Sequence, residues 1–121
     1  MKTKSPLSRV TEKQIENSIL HYLFYHKIFA WKCNSVGVYD STKGVYRKPK
    51  SQFILSGICD ILGIYMGRLL AIEVKVPSRR NNLTEYQKNF IKRVNDNGGL
   101  AFVATSIEDV KKELEKEKVV C

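Results

Sequence analysis

The chain has 121 residues, 43% of them hydrophobic and 27% charged, and a formal net charge of +9. That length supports one domain with a real core, and the composition is that of an ordinary globular chain rather than a disordered or fibrous one. No apolar run reaches the roughly 20 residues of a membrane span, and the opening MKTKSPLSRV lacks the apolar segment of a secretory signal, so a cytoplasmic location is expected.

Residues 1–50 hold ten Lys/Arg against three acids, and residues 51–121 hold eleven against nine. Basicity gathered in the first half points to a polyanionic partner, with nucleic acid first; a merely soluble basic surface is the alternative. Cys33, Cys59 and Cys121 are odd in number and widely spaced, with no CxxC pair. That pattern argues against a zinc site and against a disulfide framework.

Residues 1–9 are polar and basic and are expected to fray. Thr11 and Gln14 have capping-box spacing and open a first helix. Its apolar stripe runs through Ile15, Ile19, Tyr22 and Leu23 at helical period, ending near 26–28. Glu12 and Glu16 border this stripe. Residues 29–38 read as a first strand. Residues 39–52, YDSTKGVYRKPKSQ, form a long cationic stretch broken by Gly44 and Pro49. Lys43, Tyr46, Arg47, Lys48 and Lys50 interleave cations with an aromatic ring, which suits contact with phosphates and exposed bases. An extra hairpin or a disordered excursion reads the same stretch without function.

Residues 57–76, GICDILGIYMGRLLAIEVKV, are two apolar runs around Met66-Gly67, the signature of a β-hairpin. The register that sets Tyr65 opposite Arg68 also sets Asp60 opposite Glu73, with Cβ atoms roughly 4.5–5.5 Å apart. Lys75 shares the face of Glu73, two residues on. Like charges opposed in an apolar sheet are destabilising unless something positive lies between them. The second arm, 69–76, is apolar on both faces and reads as a central strand. Pro77 ends it, and Arg79 and Arg80 follow in a cationic loop at 78–82. A second helix is expected over 85–97, stopped by Gly98-Gly99. A buried strand at 100–105 and a last helix at 107–118 complete the order α-β-β-β-α-β-α. The fold class is α/β, a central mixed sheet flanked by helices in one domain.

Hard divalent cations take oxygen ligands, so Asp60, Glu73 and the Val74 carbonyl suit Mg²⁺ or Mn²⁺. A cation there would acidify water and polarise a phosphoryl oxygen, with Lys75 orienting the water or neutralising charge. Phosphodiester hydrolysis fits these parts best. A structural Asp60/Glu73/Lys75 ion cluster is the competing reading, and buried clusters of that kind rarely improve on apolar packing.

Gly57-x-x-Asp60 followed by Ile72-Glu73-Val74-Lys75 resembles the D…ExK core of the PD-(D/E)XK nuclease superfamily. More narrowly, residues 10–112 resemble the VRR-NUC family. The match runs through the Trp31 strand, Leu83-Thr84-x-x-Gln87-x-x-Phe90 and Asn97-Gly98-Gly99. The resemblance implies a restriction-endonuclease-like core and a Mg²⁺- or Mn²⁺-dependent DNA endonuclease selective for branched, Holliday-junction-like substrates. It implies a homodimer; a helicase or other replication or recombination protein is the class of partner to test. The implied metal ligands are Asp60, Glu73 and the Val74 carbonyl, with Lys75 catalytic. It adds Gln87 and a first-helix glutamate, Glu16 with Glu12 as fallback, to the site. Cys59 stands where the family has proline, and alternation is expected to turn it away from Asp60. A non-catalytic DNA- or junction-binding module on the same fold is the alternative.

Overall fold

The computed structural model describes residues 9–33, 38–40, 45–47 and 52–120. Helix α1 spans Glu12–Tyr25, strand β1 Ala30–Lys32, β2 Val38–Asp40, β3 Val45–Arg47, β4 Ile61–Tyr65 and β5 Arg68–Val74. A single 3₁₀ turn follows at Pro77–Arg79, then α2 at Glu85–Asp96, β6 at Leu100–Ala104 and α3 at Ile107–Val120.

Four strands form one mixed sheet in the order β1-β4-β5-β6. The β1/β4 and β4/β5 pairs are antiparallel, and β5/β6 is parallel with α2 as the crossover. The protein is therefore α/β, a four-stranded mixed sheet with three helices among the described residues.

Alternation along β5 divides its side chains between two layers. Leu70, Ile72 and Val74 join Ile15, Ile19 and Leu23 of α1 and Val110 and Leu114 of α3 on one face. Ala71 joins Cys59 and Ala101 on the other, under Phe90, Ile91 and Val94 of α2. The expectation that β5 is central and covered on both sides is met, and Leu70, Ala71 and Ile72 are fully buried. Burying each Leu or Ile there contributes about 1.5–3 kcal/mol.

The hairpin turn is tight. Met66 and Gly67 have φ of 53° and 76°. Positive φ at both central residues is the turn whose twist suits a two-residue hairpin, and Gly67 adopts it at no steric cost. Tyr65 pairs with Arg68, and the register runs without a bulge to Ile61↔Ile72, which leaves Asp60 next in line opposite Glu73.

Two expectations change. The strand expected over 29–38 is three residues long in the main sheet, and Val38 belongs elsewhere. Residues 34–37 between them lie outside the described residues. The stretch expected as a loop over 39–52 carries β2 and β3, a separate antiparallel pair with Tyr39 opposite Tyr46. The observed order is thus α-β-β-β-β-β-α-β-α rather than α-β-β-β-α-β-α. Two Val-Tyr triplets four residues apart, with Gly44 between, are a hairpin signal that the run of lysines obscures. The fraying expected of 1–9 lies outside the described residues except at Arg9. No helix of the described residues is long and apolar enough to cross a membrane.

Candidate metal and phosphodiester site

The site forms where β4 and β5 end. Chain direction changes at Asp60, whose carbonyl accepts from the Cys33 N–H at 2.7 Å. Its carboxylate turns toward β5, and Oδ2 accepts from the Val74 N–H at 2.9 Å. The Lys75 N–H donates to the Ala104 carbonyl on the opposite side. Peptide groups alternate in direction along a strand, so the Val74 carbonyl leaves β5 on the Asp60 side.

Glu73 is 3% exposed, the one charged side chain buried among the described residues. Its Oε2 accepts from Gln87 Nε2 at 3.1 Å and lies 3.9 Å from Lys75 Nζ. Its Oε1 is buried without a donor among the described residues, and the Asp60 carboxyl stands within reach of a shared proton. Burial first, then the neighbouring Asp60 charge, raise the Glu73 carboxyl to about 8, against the lowering pull of Lys75. Lys75 keeps only 14% of its side chain exposed.

Gln87 serves two purposes at once. Its Oε1 accepts from the Thr84 N–H at 3.0 Å and its own N–H donates to Thr84 Oγ1 at 3.1 Å, closing a capping box on α2. Its Nε2 meanwhile donates to Glu73 Oε2. Gly57 lets α2 come this close. It has φ of +76°, and a Cβ there would lie 2.7 Å from the Gln87 nitrogen and 2.5 Å from the Tyr86 carbonyl carbon.

Both acids of α1 bear on the site. Glu16 is raised by burial, opposed by Lys32 and raised further by Asp60 and Glu12. It pairs with Lys32 on β1 at 3.9 Å. The charge of Glu12 also reaches Glu73. No group of three His, Cys, Asp or Glu side chains converges as a metal cage among the described residues. The side-chain oxygens that meet are those of Asp60 and Glu73.

Cys59 does not turn away from the acids. It packs with Ala71 and Ala101, on the side of the sheet that Glu73 shares with Ala71. The bend at Asp60 interrupts the alternation on which the expectation rested. Burial, then the charges of Glu73 and Asp60, push its thiol far up, so it is inert as a nucleophile.

Of the cationic residues expected to meet nucleic acid, Arg79 is exposed at the end of the 3₁₀ turn. Arg80 engages Asp109 at 2.8 Å and Thr105 at 3.3 Å, tying its loop to the start of α3. Tyr46 and Arg47 lie in β3. Lys43, Lys48 and Lys50 lie outside the described residues.

No protein-family model matches this chain, and no curated protein matches it.

Proposed function

We propose that the chain is a divalent-metal-dependent DNA endonuclease, built on a restriction-endonuclease-like core of the VRR-NUC type and acting on branched DNA. The observation that carries this reading is Glu73: a buried carboxylate beside Asp60 with one oxygen that no described residue donates to. Leaving a buried charge unsatisfied costs several kcal/mol, a cost that a bound cation reverses. The donor set fits Mg²⁺ or Mn²⁺. Asp60, Glu73 and the Val74 carbonyl are all hard oxygen donors, and Mg²⁺ characteristically takes one or two carboxylates and keeps several waters.

When bound, the cation supplies charge that acidifies water and polarises a phosphoryl oxygen. The chain's own residues do the rest. Gln87 holds the Glu73 carboxylate in one orientation through its amide. Lys75 orients the attacking water and offsets charge developing on the phosphate oxygens. Glu16, paired to Lys32, adds negative potential at the Asp60 end and positions water there. Arg79 and the basic β2–β3 segment contact the DNA backbone. One site per chain cuts one strand, so symmetric cutting of a junction calls for a homodimer.

The test is cleavage of end-labelled four-way, flap and matched duplex DNA in Mg²⁺, Mn²⁺ or EDTA. Ion-dependent cutting with branched DNA ahead of duplex is expected. Binding without cutting in either metal would leave a DNA-binding module on the same fold.

A further inference from the structure

Helix α2 lies over β5 and β6 and reaches Leu62 of β4, and on the same sheet face Phe29, Trp31 and Ile64 are exposed. The register shows what stands there. Trp31 pairs with Leu62, and Leu62 with Ala71, so Trp31 shares the face of Ala71 and Glu73. Phe29, whose carbonyl accepts from the Ile64 N–H, is two residues before Trp31 and points the same way. The two rings lie 5.0 Å apart, with Phe29 69% and Trp31 38% exposed. Ile64 continues this open face, also exposed, and Phe24 and Tyr25 are exposed at the end of α1. Single exposed apolar residues are ordinary, but a contiguous aromatic group of this kind marks a binding surface.

Two strand spacings and two residues separate Trp31 from Glu73, a distance of about 12 Å. That is the span of a few stacked nucleotides at about 3.4 Å each. Lys27 is exposed between Tyr25 and Phe29, whereas Lys32, next after Trp31, points to the other face and pairs with Glu16. A second copy of this chain on the same surface would oppose Lys27 to its own counterpart, and two net charges of +9, to one another. A polyanion meets them favourably. Aromatic side chains beside a cation, along a line leading to a phosphodiester site, suit unpaired bases that stack while their backbone is held electrostatically. Bases in a matched duplex are stacked on one another and offer no free face.

We infer that Phe29 and Trp31 form a stacking platform for unpaired nucleobases a few nucleotides from the scissile phosphate, selecting DNA with single-stranded character. This rests on the nuclease reading above and adds the feature of the substrate that is recognised.

Trp31 is the only tryptophan in the chain, so intrinsic emission reports on this surface alone. The full chain is titrated in EDTA with oligothymidylate, with a flap substrate and with matched duplex, while anisotropy of the labelled DNA measures binding separately. Trp31 emission is expected to be quenched by oligothymidylate and flap, and not by duplex. Phe29→Ser should weaken oligothymidylate binding about tenfold or more, the loss of one stacked base, and Trp31→Phe should retain it. Binding by anisotropy with unchanged Trp31 emission overturns the platform and leaves the nuclease reading standing. So does equal quenching by duplex. A protein-concentration-dependent emission shift without DNA, with a dimer in sedimentation, assigns the surface to a second copy and overturns it as well. Absence of any binding or cutting removes the nuclease reading and the platform together.

Discussion

A carboxyl buried beside a second carboxyl holds its proton far above the ordinary range, and Glu73 does so from 4.5 up to about 8. Between these values the folded chain carries a proton that the unfolded chain has lost. Stability therefore falls as pH rises through that window, and the penalty is complete above the folded value. In EDTA, thermal unfolding should show a protein more stable near pH 5 than near pH 8.5, by an amount on the order of a few kcal/mol. Glu73→Gln should flatten that slope and be the more stable chain at pH 8.5. Saturating Mg²⁺ should raise the melting temperature of the wild type at pH 8.5 and have little effect at pH 5, where protons compete for the same oxygens. A wild-type profile that rises from pH 5 to 8.5 would mean that Glu73 is ionised and satisfied in the folded protein without a cation.

At the scale of elements, the start of α2 links fold to chemistry. Thr84 and Gln87 stand at capping-box spacing, and the Met66-Gly67 turn that fixes Asp60 against Glu73 is equally local in the sequence. Local chemistry dictates both, as the cap needs a hydroxyl and an amide three residues apart and the turn needs positive φ. Less legible was the contact between elements, in which Gly57 admits the first turn of α2 so that one amide serves cap and carboxylate together. The side of the sheet taken by Cys59 was misread for a related reason: strict alternation fails where the chain bends at Asp60. These roles of Gln87 can be separated. Gln87→Ala and Thr84→Ala should each cost about 0.3–1.5 kcal/mol of stability through the cap. Only Gln87→Ala should also weaken Mg²⁺ binding, about 10–100-fold, because it alone removes the donor to Glu73. Equal Mg²⁺ affinities in calorimetry would reduce Gln87 to a cap.

Across the whole molecule, part of the cationic surplus is held in internal ion pairs. Arg80, expected to meet DNA, is held by Asp109, whose carboxyl is lowered on balance: burial raises it, and hydrogen bonds from Thr105 and Arg80 outweigh that. Arg80 thus stabilises the approach to α3, while Arg79 and Lys27 stay exposed. The aromatic surface was hidden in a stretch read only as a first strand, because which face of β1 lies open depends on where α2 packs. DNA affinity in EDTA should fall steeply with salt, the log–log slope exceeding roughly 3 in magnitude if four or more phosphates are neutralised. A slope near zero would remove the polyanion argument.

The central claim is that Asp60, Glu73 and Lys75 act as one hydrolytic site, and single-turnover cleavage of labelled branched DNA in Mg²⁺ by wild type and Lys75→Ala tests it most directly. Lys75→Ala should bind the DNA as wild type does and cut it about 10²–10³-fold more slowly. Cutting by Lys75→Ala at the wild-type rate, or DNA bound by wild type and left intact in both Mg²⁺ and Mn²⁺, would contradict the account.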